Sequence, residues 1–235
     1  MYTGTYKMAQ RVIRIESLYP GVQKMCEDYA CEGEPDFTVT ITPEDIAYEE
    51  SRAEQPGHSK SYLETLAVYR KISEKMVEYD TILCHGSVIA VDGEAYMFTA
   101  KSGTGKSTHT ALWRQEFGDR AVMVNDDKPL LRITEDQVIA YGTPWNGKHK
   151  LGCNMSAPLK ALYNLHRGKE NSARPLTGPE AMTMLLQQVY RPADPAKMAK
   201  TVELMSRICA NTNTYRLECN MEPEAAHVAY DIAQK

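Results

Sequence analysis

Residues Ala100 to Ser107 read Ala-Lys-Ser-Gly-Thr-Gly-Lys-Ser. They fit the phosphate-binding loop pattern everywhere except the first position, where Ala100 stands for the usual glycine. A polyphosphate needs several donors aimed at one point, and a loop with little side-chain bulk lets successive backbone N–H groups form an anion nest. Gly103 and Gly105 supply that freedom, flanked by Ser102 and Thr104. Lys106 and Ser107 open a helix, so its positive dipole end faces the same point. In this reading Lys106 reaches the outer phosphates, and the Ser107 hydroxyl, with Thr108 as the alternative, ligates Mg²⁺. The competing reading is a chance glycine turn at a strand end.

A second set of residues lies further along. Phosphoryl transfer calls for a carboxylate on the metal, a group that takes the proton of the attacking hydroxyl, and positive charge over the moving phosphoryl. Asp126 and Asp127 follow a short apolar run and can supply the first two roles, with Asp126 and Ser107 as the metal ligands. Two neighbouring carboxylates repel unless a cation or proton is shared. Alone, the pair reads as a solvated turn before Pro129; beside a phosphate loop it reads as a site. His85, followed by Gly86, is a third candidate, although a lone histidine is usually structural. Thr143 to Lys150 combines turn formers with Lys148 and Lys150, and Trp145 either packs or presents a stacking face.

The elements that must position these residues follow from patterning. Glu94 to Thr99 is strand-like and Thr108 to Phe117 helix-like, which sets the loop between strand and helix. Ile82 to Val91, then Asp92-Gly93, then Glu94 to Thr99 predict two antiparallel strands joined by a tight turn. An antiparallel hairpin therefore delivers the chain to the phosphates, unlike the parallel βαβ units of the commonest nucleotide folds. Ala121 to Val124, Leu130 to Ile133 and Val138 to Tyr141 predict further strands. Upstream, Arg11 to Ile15 and Phe37 to Ile41 predict a small sheet. Glu49 to Lys60 reads as an exposed loop, and Ser61 to Tyr79 as a packing helix with Leu63, Leu66, Val68, Tyr69, Ile72 and Met76 on its apolar face. From Leu159 to Lys235 a mainly helical part is expected, with a late strand over Tyr215 to Cys219 and a last helix from near Pro223.

Composition bounds the rest. The 235 residues suit one large core; 27 basic against 31 acidic residues, a formal net charge of −4, offer no general pull towards nucleic acid or anionic membrane. Any anion site must be local. The six cysteines form no CxxC pair and no zinc-like spacing, so reduced thiols are expected. The first residues lack the apolar core of a signal peptide, and no apolar run reaches membrane-spanning length. A cytoplasmic protein is expected, organised as one domain whose N-terminal strands and helix occupy 1–79, nucleotide core 80–150 and helical part 151–235.

Taken as a set, His85-Gly86, Ser102-Gly103-x-Gly105-Lys106-Ser107 and Asp126-Asp127 resemble the HPr kinase/phosphorylase superfamily, which shares its core with ATP-dependent phosphoenolpyruvate carboxykinases. The resemblance covers about Asp80 to Gly147. It implies an α/β fold with a mixed, largely antiparallel sheet around the phosphate loop, ATP and Mg²⁺ as cofactors, and assembly of several copies. It also implies that His85 lies near the transferred phosphate, that Asp126 or Asp127 exchanges the proton, and that Gly103 to Thr108 bind phosphates. The region before His85 is shorter than the separate N-terminal domain of the full-length enzymes, and no glycine-rich signature follows the aspartate pair. The chain therefore looks more like the compact members, with serine in a peptide, a protein or a small molecule as acceptor. Two other classes share the loop: a regulatory module that binds nucleotide without transfer, and an accessory peptide-binding protein that keeps the loop as an anion site.

Overall fold

The computed structural model describes every residue except Glu54. The chain forms two compact units, Met1–Met76 and Val77–Lys235.

In the first unit, β1 (Tyr2–Met8) and β2 (Arg11–Ser17) form an antiparallel hairpin through Ala9 and Gln10. Next come the short helix α1 (Gly21–Met25) and β3 (Phe37–Thr40), which runs parallel to β2 and sets Ile13 against Phe37 and Ile15 against Val39. Helix α2 (Pro43–Ser51) begins at a capping box in which Thr42 and Asp45 exchange hydrogen bonds. Helix α3 (Lys60–Met76) buries Leu63, Val68, Ile72 and Met76, four of the six residues of the expected apolar face. Glu64 on the same helix is fully buried, and its carboxylate accepts the N–H groups of Leu18 and Tyr19. The loop expected over Glu49 to Lys60 is shorter than predicted, because α2 runs to Ser51; its Glu54 lies outside the described residues.

The second unit opens with β4 (Thr81–Leu83), β5 (Ser87–Val91) and β6 (Glu94–Thr99), followed by α4 (Lys106–Phe117) and β7 (Ala121–Asn125). Then come β8 (Leu130–Ile133), β9 (Val138–Tyr141), β10 (Ser156–Arg167), β11 (Ser172–Pro175), α5 (Gly178–Gln188), α6 (Pro195–Asn211), β12 (Asn213–Cys219) and α7 (Glu224–Ile232). These strands make one mixed sheet in the order β4-β8-β9-β10-β6-β5-β7, with β12 beside β10 and β11 beside β12. Only β10·β6 and β10·β12 are parallel; the other pairings are antiparallel. The fold is thus mixed α/β with a largely antiparallel sheet.

Helices cover both faces. Val88, Ala90, Ala95 and Met97 join one core cluster with Leu185 of α5 and Leu204 of α6. Their strand neighbours Ile89, Val91, Tyr96 and Phe98 join the other cluster, with Trp113 of α4 and Ala229 of α7. Double-sided burial explains why β5 and β6 read as continuous apolar runs. In the turn between them Asp92 and Gly93 both have positive φ, 53° and 84°, as the Asp-Gly pair predicts.

Two expectations need correction. Ile82 to Val91 is not one strand: β4 pairs with β8 whereas β5 pairs with β6 and β7, and the chain leaves the ladder between them. There His85 N–H donates to Gln188 O at 2.7 Å and Gly86 N–H to Asp127 O at 3.0 Å. Leu159 to Arg167, expected within the helical part, is instead most of β10, whose buried Ala157, Leu159, Ala161, Tyr163 and Leu165 recur every second residue. Three helices do follow it. Among the described residues, no helix is long and apolar enough to cross a membrane, and all six cysteines are free thiols.

Candidate active site

Strand directions bring the candidate residues to one sheet edge. Strand β5 is antiparallel to both β6 and β7, so the residues before β5 meet those after β6 and after β7. These are His85, the loop from Ala100, and Asp126-Asp127. Strand β10, parallel to β6, ends at the same edge with Arg167.

Gly103 and Gly105 have φ of 78° and 125°, a region that side chains disfavour. The loop carbonyls of Lys101, Gly103 and Thr104 have partners within the protein. Lys101 O accepts the Thr104 N–H at 3.2 Å and its hydroxyl at 2.8 Å. Arg167 donates to Gly103 O at 2.6 Å and Thr104 O at 2.9 Å. Helix α4 starts at Lys106, and the first helical bond runs from His109 N–H to Gly105 O at 2.9 Å. The N–H groups of Lys106, Ser107 and Thr108 are therefore the donors a helix start leaves unpaired within itself. Lys106 is 9 % exposed, and its Nζ donates to Ala100 O at 3.1 Å. Burial lowers its pKa from the ordinary lysine value, an effect that Asp127 partly opposes.

Asn125 at the end of β7 holds the aspartate turn. Its Oδ1 accepts the N–H groups of Asp127 and Lys128 at 2.9 and 2.6 Å, while Nδ2 donates to Thr143 O at 3.2 Å. Asp126 is buried, and its Oδ1 accepts the Gly147 N–H at 2.7 Å. Asp127 Oδ1 lies 3.3 Å from His85 Nε2 and 3.6 Å from Lys128 Nζ. Burial alone would raise the Asp127 pKa, but the His85 hydrogen bond and the charges of Lys128 and Lys106 hold it below the ordinary aspartate value. Gly86 lets His85 sit there: a Cβ on it would come within 2.9 Å of Phe98 O and 2.6 Å of Met97 Cε.

A cavity of about 830 Å³ opens over these groups. It is lined by His85, Asp126, Asp127, Ser102, Gly103, Gly105, Lys106, Ser107 and Thr108, while the candidates Thr104, Trp145 and Lys150 lie outside the lining. Thr104 faces a smaller neighbouring cavity. Trp145 is buried and outside the lining, so it packs and offers no stacking face there, whereas Lys148 does line the cavity. His149, within the segment Thr143 to Lys150, lines the cavity too, whereas Arg114 and the Arg167 clamp are not anticipated by the sequence analysis. Arg114 follows Ser107 and Ala111 at helical spacing and could have been found that way. Nothing local in the sequence marks Arg167.

No family model matches the sequence, and no curated protein matches it. Among solved structures, the HPr(Ser) kinase/phosphatase from Coxiella burnetii matches at 12% identity, covering 65% of this chain and 94% of that one, with a TM-score of 0.37. A likeness this distant carries no inference about activity or ligands.

Proposed function

We propose that the protein is an ATP- and Mg²⁺-dependent kinase that transfers the terminal phosphoryl group to a hydroxyl, that of serine in a peptide, a protein or a small molecule. One observation carries the reading: a single cavity is walled by Lys106 and Ser107 of the phosphate loop and by the His85–Asp127 pair. A phosphate loop alone serves switches, motors and kinases alike. An ionised carboxylate facing the same space adds a proton acceptor.

The oxygen donors suit the metal. Among the described residues, no group of three or more His, Cys, Asp or Glu side chains stands ready to hold an ion. Magnesium is commonly held by one or two protein oxygens, waters and substrate phosphates, and the Ser107 hydroxyl and Asp126 carboxylate offer such a set. When bound, Mg²⁺ draws charge from the phosphate oxygens.

In this reading the loop's N–H groups and Lys106 orient the triphosphate. Asp127, kept ionised by its cationic neighbours, accepts the hydroxyl proton as the new O–P bond forms. His85 holds Asp127 in place and adds a hydrogen-bonding group beside the moving phosphoryl. The lining also holds Arg114 and Lys148, for which no ion-pair partner is found among the described residues. Incubation with γ-labelled ATP, Mg²⁺ and either free serine or serine peptides tests this. Label should pass to an acceptor with wild type and fail with Lys106→Ala and Asp127→Asn. Tight ATP binding with no labelled acceptor would favour the regulatory module, and full transfer by Asp127→Asn would remove Asp127 as base.

A further inference from the structure

We infer that the smaller cavity beside the phosphate loop, about 380 Å³ between the loop and the ends of β10 and β12, holds the nucleobase. The inference rests on the nucleotide-binding reading above and adds where the ring goes.

The loop has a polarity. In a phosphate loop the backbone cradles the inner phosphates while the lysine reaches the outer ones. Lys106 and the aspartate pair therefore mark the outer end, and the nucleoside must leave on the other side. Gly105 and Thr108 line both cavities, which makes them the joint between the two. Thr104 lines only the smaller one.

The walls of the smaller cavity suit a flat, weakly polar ring and not a second anion. Leu165 and Cys219 are buried apolar groups at the ends of β10 and β12. His109 is a neutral wall: its Nε2 accepts the Trp113 indole N–H at 3.0 Å, and burial pushes the imidazole down to about 3. The Arg167 guanidinium is already committed to Gly103 O and Thr104 O. Asn220 is likewise engaged, donating from Nδ2 to Lys169 O and accepting the Glu222 N–H on Oδ1. At the rim Met221 is 76% exposed, a large apolar side chain facing solvent beside an apolar slot. A ring against it would cover that side chain. The volume lies in the range of small-molecule sites.

The test compares Mg²⁺-ATP with Mg²⁺-tripolyphosphate on the full chain, with the methionine methyl groups ¹³C-labelled. ATP should shift the Met221 methyl resonance, and tripolyphosphate should leave it in place. Met221→Ala should weaken ATP binding about threefold to tenfold, part of the burial energy of one methionine, and change tripolyphosphate binding by less than about twofold. A Met221 methyl unmoved at saturating ATP, or equal losses for the two ligands, overturns the base slot alone. Failure of both ligands to bind overturns the nucleotide reading with it.

Discussion

Lys106→Met separates what the loop lysine does for the ligand from what it costs the fold. Lys106 is 9 % exposed, and its ammonium has one hydrogen bond in the structure, to Ala100 O at 3.1 Å. A buried cation with so little compensation is a net burden on the free protein. Methionine keeps most of the buried stem and removes the charge, so the unliganded variant should be more stable by about 1 kcal/mol, which is about 2–4 °C in a chain of this size. Because burial lowers the Lys106 pKa, the unfolded chain binds more protons than the folded one as pH approaches the ordinary lysine value of about 10.4. Wild-type stability therefore gains on the variant as pH rises, and the variant's advantage shrinks. Ligand reverses the order. At about 100 times its Kd, Mg²⁺-ATP should stabilise wild type by about 2.7 kcal/mol. Loss of charged hydrogen bonds to the phosphates weakens binding about 100-fold and leaves about 0.4 kcal/mol. Thermal melts should thus show a ligand shift of about 5–10 °C in wild type and about 1 °C in the variant. A free variant that melts lower than wild type, yet keeps the full ligand shift, would refute both halves of the reasoning.

Three further outcomes follow from the site's geometry. Gly86→Ala should lower stability to urea by about 1–3 kcal/mol, because Met97 can swing away from the new methyl but Phe98 O cannot; an unchanged midpoint would contradict the close approach. Arg167→Lys replaces a two-armed clamp on Gly103 O and Thr104 O with a single ammonium, and should raise the KM for ATP about tenfold with a smaller change in kcat. An unaltered KM would mean that the loop holds its shape without the clamp. The depressed Asp127 pKa sets the pH dependence: its ion-pair stabilisation is present above the ordinary aspartate value of about 3.9 and is lost as pH falls through the lower folded value. The stability gap between wild type and Asp127→Asn should accordingly close only below about pH 4, and a gap that closes near neutrality would assign the titration to another group.

Legibility in the sequence tracked how local the cause was. Loop, hairpin turn and aspartate pair each depend on a few consecutive residues, so glycines at positive φ and an apolar run ending in polar residues could be read directly. Helix α2 was legible in principle, since Thr42-Pro-Glu-Asp45 is a capping signal, but its polar surface gave no apolar periodicity to draw attention. Strand β10 was not, because its neighbours β6 and β12 are distant in sequence and its alternation is blurred where Ala161, Leu162 and Tyr163 are all buried. Arg167 at the end of that strand is equally illegible, because its partners lie more than sixty residues away.

In the proposed function, the same long-range strand is what holds the loop in shape for phosphates. A glycine-rich loop that gains an anion nest also gains freedom to collapse, and its outward carbonyls need partners as much as its N–H groups do. The parallel pairing of β10 with β6 carries both strands out at one edge and sets the guanidinium of Arg167 on those carbonyls. On the other side, the antiparallel β5 returns His85 and Gly86 to the same edge, where Gly86 N–H on Asp127 O holds the aspartate turn in place. Loop and carboxylates are therefore positioned by separate strands of one sheet. A change in Arg167 should accordingly register in nucleotide affinity, and a change in His85 in transfer, because each support reaches a different wall of the cavity.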